Sequence, residues 1–179
     1  MMTRIALTSL AALVLITSTI IARPTAAQSS FRITGAVWSD ANCDGVRQDS
    51  EALLPNLRLT LRWAGTNATI DAGDRDIQQD QSLTGLYAFT LPAAGETYFI
   101  SFREEDKPTS MRPAPFRQGG DASRDNDLTM PLAGTTLWAT PAFTMPADGS
   151  PVTGIDLGLC NGTSNPNLTN KLFLPLLRG

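Results

Sequence analysis

Leu57-Arg58-Leu59-Thr60-Leu61-Arg62-Trp63 alternates without a break. Leu57, Leu59, Leu61 and Trp63 fall on one side of an extended chain, and Arg58, Thr60 and Arg62 on the other. A period of two marks a strand with one buried and one wet face. Just upstream, Leu54-Pro55 breaks any helix leading into it. Further upstream, Phe31-Arg32-Ile33-Thr34-Gly35-Ala36-Val37-Trp38 is rich in β-formers. The segment between these two runs therefore joins strand to strand.

That connection reads Asp40-Ala41-Asn42-Cys43-Asp44-Gly45-Val46-Arg47-Gln48-Asp49-Ser50-Glu51. It places side-chain oxygens at loop positions one, three, five, nine and twelve, with Gly at six, which is the ligand spacing of an EF-hand-type calcium loop. Calcium takes roughly 6–8 oxygens at about 2.3–2.6 Å. Asp40, Asn42 and Asp44 supply side-chain oxygens, Val46 its carbonyl, and Gln48 a direct or water-borne contact. Glu51 is expected to close the cage with both oxygens. Gly45 permits the sharp turn that a Cβ resists. With strands on both sides, a helix-pair sensor that opens on binding is not expected.

Further strands follow. Ile77 to Leu83 reads as a polar edge strand, Leu86–Leu91 as a strand stopped by Pro92, and Thr97–Arg103 as the next after a hairpin at Ala93-Ala94-Gly95-Glu96. Lys107 to Gly120 holds three prolines and reads as a long surface loop. Trp138–Met145 and Val152–Leu159 complete the set. No helical periodicity runs beyond a single turn, and no internal repeat is visible. Many short strands between regular turns predict an all-β sandwich.

Residues 1–27 read as a secretory signal. Arg4 precedes an apolar run from Ile5 to Ala22, and Thr25-Ala26-Ala27 supplies small residues ahead of Gln28. The alternative is an uncleaved membrane anchor. Without these residues, which carry Arg4 and Arg23, 12 basic side chains face 17 acidic ones, a net of −5. That balance argues against nucleic acid or an anionic membrane surface as partner. The remaining chain of about 150 residues suits one domain, placed at 31–160, and no other segment is long enough to span a bilayer. Residues 161–179 form a polar linker and a short apolar tail, Leu172-Phe173-Leu174-Pro175-Leu176-Leu177, either a terminal strand or a signal for export or surface attachment.

The chain has no histidine, which removes Ser-His and Cys-His nucleophile pairs and His-based zinc sites. Its two cysteines, Cys43 and Cys160, are most simply a disulfide in an exported protein; free thiols or an intermolecular link are the alternatives. Gly119-Gly120-Asp121-Ala122-Ser123-Arg124-Asp125-Asn126-Asp127 packs three carboxylates and an amide into one loop. A cation shared with the first loop, or a second calcium, would offset their repulsion. Asp121, Asp125 and Asp127 are the candidate ligands.

These pieces, in order, resemble the SdrD B-like domain, one of the Cna B-type, prealbumin-like modules of bacterial surface proteins. The resemblance begins at Ile33–Trp38, the Asp40–Glu51 loop and Leu54-Pro55. It continues through Gly85-Leu86-Tyr87-Ala88-Phe89, Leu91-Pro92 with Gly95 and Tyr98, and Gly120-Asp121 with Asp125-Asn126-Asp127. It closes at Ile155-Asp156-Leu157-Gly158-Leu159, so it covers about residues 33 to 159. It implies an immunoglobulin-like (prealbumin-like) antiparallel β-sandwich, with the calcium loop between its first two strands and Asp40, Asn42, Asp44, Val46, Glu51, Asp121, Asp125 and Asp127 as ligands. The implied role is non-enzymatic: a spacer, stalk or adhesive scaffold outside the cell or at its surface. Calcium and a surface or matrix protein or polysaccharide are the implied partners. Three departures stand out: Asn126 in place of Ser, a longer stretch at Asp71–Gln81, and a solitary copy, which suits a stalk poorly. Related domains carry a Lys–Asn isopeptide bond. The lysines here are Lys107, beside Pro108, and Lys171 in the tail, so no such bond is expected.

Two other functions compete. A carbohydrate-binding module would use exposed aromatics, with Trp63, Trp138, Tyr87 and Tyr98 as candidates; buried ones favour the scaffold. A two-carboxylate hydrolase would need a pair roughly 5–9 Å apart in a cleft. Residues spaced as metal ligands make poor proton donors while metal is bound, so catalysis is not expected.

Overall fold

The computed structural model describes residues 31–161, apart from 67, 68, 72, 130 and 133. The signal segment and the tail after Asn161, with Lys171, lie outside the described residues. The fold is all-β, in two sheets. The strands are β1 (Ile33–Asp40), β2 (Leu59–Trp63), β3 (Arg75–Asp80), β4 (Leu86–Phe89) and β5 (Thr97–Arg103), then β6 (Arg112–Pro113), β7 (Leu137–Ala139), β8 (Phe143–Thr144), β9 (Val152–Thr153) and β10 (Leu157–Cys160). The first sheet runs β4-β1-β10-β6, with β9 also on β1; the second runs β3-β2-β5-β7, with β8 also on β5. Among the described residues the helical element is a single 3-10 turn, Glu104–Asp106, and no helix is long and apolar enough to cross a membrane.

The alternation in β2 does what its period requires. Leu57, Leu59 and Leu61 are fully buried, and Trp63 packs against the same core. Opposite them on β5 stand Tyr98 and Ile100, also in that core. Ile33, Val37, Tyr87, Phe89, Leu157 and Leu159 of the first sheet fill it from the other side. Each such side chain contributes about 1.5–3 kcal/mol by leaving water. Thr60, Arg62, Ser101 and Arg103 therefore face outward. Phe99 shares that outer face and forms a small second cluster with Ala64, Ala139 and Ile70.

Several expectations shift. β3 begins two residues earlier than Ile77, because its backbone gains ladder bonds along β2 across a bulge at Leu61/Arg62. The proline-rich loop contains β6, which pairs with β10. Trp138–Met145 divides into β7 and β8 around Pro141, which has no N–H to give. Most ladders are antiparallel, but β1 pairs in parallel with both β9 and β10. A parallel pair needs a long crossover, and nearly the whole domain supplies it.

Gly35 is where the first sheet closes tightest. An added Cβ would overlap the Ile155 carbonyl oxygen and stand 2.6 Å from Tyr87 Oη. The buried Tyr87 hydroxyl donates to that same carbonyl, and burial raises its pKa well above 10.0. Gly35→Ala should therefore cost about 1–3 kcal/mol or more by overpacking. Tyr87→Phe, which keeps the space but leaves the carbonyl unpaired, should cost about 1–3 kcal/mol. Urea unfolding midpoints report both, and a wild-type midpoint for Gly35→Ala would mean that these segments are not so closely packed.

Candidate metal centre

The Asp40–Glu51 loop leaves β1 and turns at once on its own side chains. Asp40 is fully buried; its Oδ2 accepts from Gly45 N–H at 2.8 Å and its Oδ1 from Asp44 N–H at 3.3 Å. Gly45 has φ +80, and a Cβ there would run into the Pro115 carbonyl. Asp44 Oδ1 accepts from Val46 N–H at 2.8 Å. The amide nitrogens of Asn42 and Gln48 both donate to the Asp44 carboxylate, at 2.8 Å and 2.9 Å. Glu51 accepts from Ala41 N–H at 2.8 Å through Oε1 and from Gln48 N–H at 3.0 Å through Oε2. Both its oxygens thus clasp the two ends of the loop.

The second acidic loop lies alongside. Val46 and Asp125 form an antiparallel bridge. On either side of it, Asn126 N–H donates to Gly45 O at 2.9 Å and Arg47 N–H to Arg124 O at 2.8 Å. The Arg124 guanidinium pairs with Asp49 and donates to Arg47 O at 3.3 Å. Asp125 is buried, and its Oδ1 has no hydrogen-bond partner among the described residues. Asp127 is also buried: Oδ1 meets Arg117 Nε at 3.2 Å and Oδ2 accepts from Asp156 N–H at 3.1 Å. Asp121 stands apart at the surface, its Oδ1 accepting from the Ser123 N–H and hydroxyl. Those bonds hold its carboxyl below the usual range.

The structure therefore brings Asp40, Asn42, Asp44, Gln48 and Glu51 into one loop network and lays Val46 against Asp125. Asp127 turns toward Asp156, and Asp121 faces away. No three acidic or cysteine side chains converge as metal ligands among the described residues. The carboxylates of Asp40, Asp44 and Glu51 are instead satisfied by N–H groups. The donor chemistry is still of the kind a hard cation takes. Asn42 and Gln48 each carry an amide oxygen where an amide flip would exchange donor for acceptor, and Asp125 Oδ1 is buried with nothing to accept from.

Electrostatics agree. Burial, with repulsion from Glu51 and Asp44, pushes the Asp40 carboxyl up against the opposing Gly45 hydrogen bond. Burial likewise raises Asp127, against the Asp156 N–H and Arg117, and Asp156, against the Ala36 N–H and Arg47. Asp156, Arg47 and Asn126 carry weight that spacing did not reveal. Asp156 Oδ1 accepts from Ala36 N–H at 2.8 Å, and Oδ2 lies 3.2 Å from Arg47 Nη2 without hydrogen-bond alignment. The Asn126 amide donates to Ala114 O at 2.7 Å and accepts from Gly158 N–H at 2.9 Å. Only Asn126's place between two aspartates hinted at this.

Cys43 and Cys160 form the expected disulfide, with Cα atoms 5.4 Å apart across 117 positions. It fixes loop position four to the end of β10. Of the aromatic candidates, Tyr87 and Tyr98 are buried. Trp63 and Trp138 are half-buried, and their ring N–H groups donate to Glu96 and Glu104. Trp38 is fully buried. Lys107 is buried beside the 3-10 turn, its Nζ 2.7 Å from Glu104 Oε1. A cleft of about 290 Å³ opens beside the second acidic loop, with Arg117, Asp125, Asp127 and Phe143 in its walls. No family model matches the chain, and no curated protein matches it.

Two measurements follow. The disulfide closes almost the whole described domain, so the chain-entropy model assigns it about 4–5 kcal/mol; a reductant should lower the urea midpoint accordingly, and an unchanged midpoint would show that the bond is not formed. In chelator, Asp40, Asp127 and Asp156 have folded pKa values above those of the unfolded chain. The folded state then binds protons more tightly, so stability is gained as pH falls from neutral through the raised values and lost as pH rises. Melting temperature should rise as pH falls from neutrality toward the raised values, before ordinary ion pairs begin to protonate. A flat profile would place all three carboxyls in water-like surroundings.

Proposed function

We propose that this chain is an exported, calcium-binding β-sandwich of the SdrD B-like, immunoglobulin-like kind, with a structural or adhesive role at the cell surface or outside the cell. The observation that carries this reading is the clamp between the two acidic loops. The Val46–Asp125 bridge lays the second loop against the first, and Asp125 Oδ1 is buried there with no hydrogen-bond partner among the described residues. The ordered motif set from Ile33 to Leu159 supports the same reading, as does a disulfide, which persists in oxidising compartments.

In this reading Asp40, Asn42, Asp44, Val46, Gln48 and Glu51 hold the ion, with Asp125 as the nearest contributor from the second loop. Asp127 and Asp121 act around it, Asp127 by fixing the closing strand and Asp121 by shaping its own turn. Calcium supplies positive charge that offsets carboxylate repulsion and adds to folding free energy. The domain then serves as a stiff scaffold whose loops hold their shape while the ion is present. A carbohydrate-binding role through stacked rings finds little support, since the candidate rings are buried or pinned edge-on by Glu96 and Glu104.

A calcium titration followed by thermal melting tests this. Native-state binding raises stability by RT ln(1 + [L]/Kd), about 2.7 kcal/mol at a hundredfold excess over Kd. Asp44→Ala should abolish most of the rise. Asp125→Ala should weaken it, and the pair should be non-additive by about 0.5–3 kcal/mol if both loops serve one ion. A melting temperature indifferent to calcium and to chelator would remove the metal from the proposal and leave a hydrogen-bonded, disulfide-tied loop.

A further inference from the structure

The outer face of the second sheet carries a feature at odds with the acidic chain around it. β2 presents Thr60 and Arg62 there, with Arg58 just before the strand, and β5 presents Ser101 and Arg103. The register places Thr60 between Gln79 of β3 and Ser101 of β5. By the same antiparallel register, Arg58 falls opposite Arg103. Arg58, Arg62 and Arg103 line a cleft of about 110 Å³ together with Thr60 and Ser101.

These arginines are not equally engaged. Arg62 Nε is held by Asp76 Oδ1 at 2.7 Å, which fixes that side chain at 14% exposure. Arg103 makes only a loose contact, 3.7 Å to Glu105, with both side chains mostly in water. Arg58 makes no hydrogen bond or ion pair among the described residues. Asp76 and Asp106 also line the cleft. The lining thus sets three arginines against two aspartates, an excess of one positive charge within the cleft, while Glu105, outside the lining, stands 3.7 Å from Arg103. Guanidinium forks suit tetrahedral oxyanions, and hydroxyl and amide groups in the lining add donors.

We propose that this cleft binds the ester oxyanions, sulfate or phosphate, of an anionic polysaccharide. Arg58 and Arg103 grip the oxyanion, and Arg62, braced by Asp76, orients it over Thr60 and Ser101. The lining is polar, so it offers little to an apolar peptide side chain. It is also poor for nucleic acid, because the one aromatic at the cleft, Phe102, turns its ring into the core and leaves no platform for a base. The site is on the opposite sheet from the acidic loops and does not depend on calcium.

The test is titration calorimetry of the folded domain with dextran sulfate, phosphorylated dextran and neutral dextran at low ionic strength, where exposed charges are least screened. Dextran sulfate or phosphorylated dextran should bind, the stronger of the two identifying the ester, and neutral dextran should not. Inorganic sulfate or phosphate should compete. The double variant Arg58→Gln/Arg103→Gln should weaken binding about tenfold or more while melting as the wild type does, since both side chains are exposed. Asp106→Asn should tighten it by about twofold or more, as loss of a like-signed charge requires. Failure of both charged polymers to bind, unchanged binding by the double variant, or equal binding of neutral dextran overturns the proposal. Tighter binding of a single-stranded oligonucleotide would assign the cleft to nucleic acid instead.

Discussion

Asp156 is the residue on which the acidic end of the molecule hangs. It is 2% exposed, between β9 and β10. One carboxylate oxygen takes the Ala36 N–H of β1 and the other faces Arg47 of the first acidic loop. Its own N–H and C=O go to Asp127 of the second loop, at 3.1 Å and 2.8 Å. A single buried charge thus ties both loops to the first and last strands. Removing one partner of such a pair strands the other without solvent, which costs more than the pair itself contributes. The position of Arg47 is therefore as constrained as that of any candidate ligand.

Much of the frame was legible before the contacts were known. Leu57–Trp63 announced its inward face by alternation alone, and Thr97–Arg103 emerged with the expected bounds because β-formers fill it and Gly95 turns the chain before it. What could not be read depends on partners distant in sequence. Arg112-Pro113 looks like loop because proline and charge disfavour a strand; pairing with Leu159 and Cys160 makes it one. Lys107 looks like a wet loop residue, yet Glu104 lets its charge be buried. The spacing of the acidic loop named which oxygens are near one another. It did not say that Glu51 would spend both on backbone N–H groups, or that Asp127 would turn away toward Asp156.

The loop is held by three kinds of restraint that act without a cation. Asx-type hydrogen bonds fix its curl, the Val46–Asp125 bridge fixes its neighbour, and the Cys43–Cys160 bond fixes its distance from β10. Cys43 adopts φ +55, in the left-handed region, so its backbone is set by the turn around it. Ordering costs already met by the fold are not charged again to a ligand. A cation at this loop would have mainly to rotate two amides and draw in oxygens that now accept N–H groups.

The two sheets divide the remaining work unevenly. The first is covered along its β4 edge: β3 side chains take N–H groups in and just after β4, with Asp80 accepting from Ala88 at 2.8 Å and Gln78 from Thr90 at 2.8 Å. Those bonds stitch the two sheets together at that edge and make it a poorer template for another strand. The second sheet keeps an open outer face, with Phe99 buried at one end under Ile70 and the arginines at the other. Of those arginines, Arg62 is fixed by its 2.7 Å pair with Asp76, while Arg58 and Arg103 reach out from the face. The same alternation in Leu57–Trp63 that seats leucines in the core therefore sets Arg58 and Arg62 on that outer face.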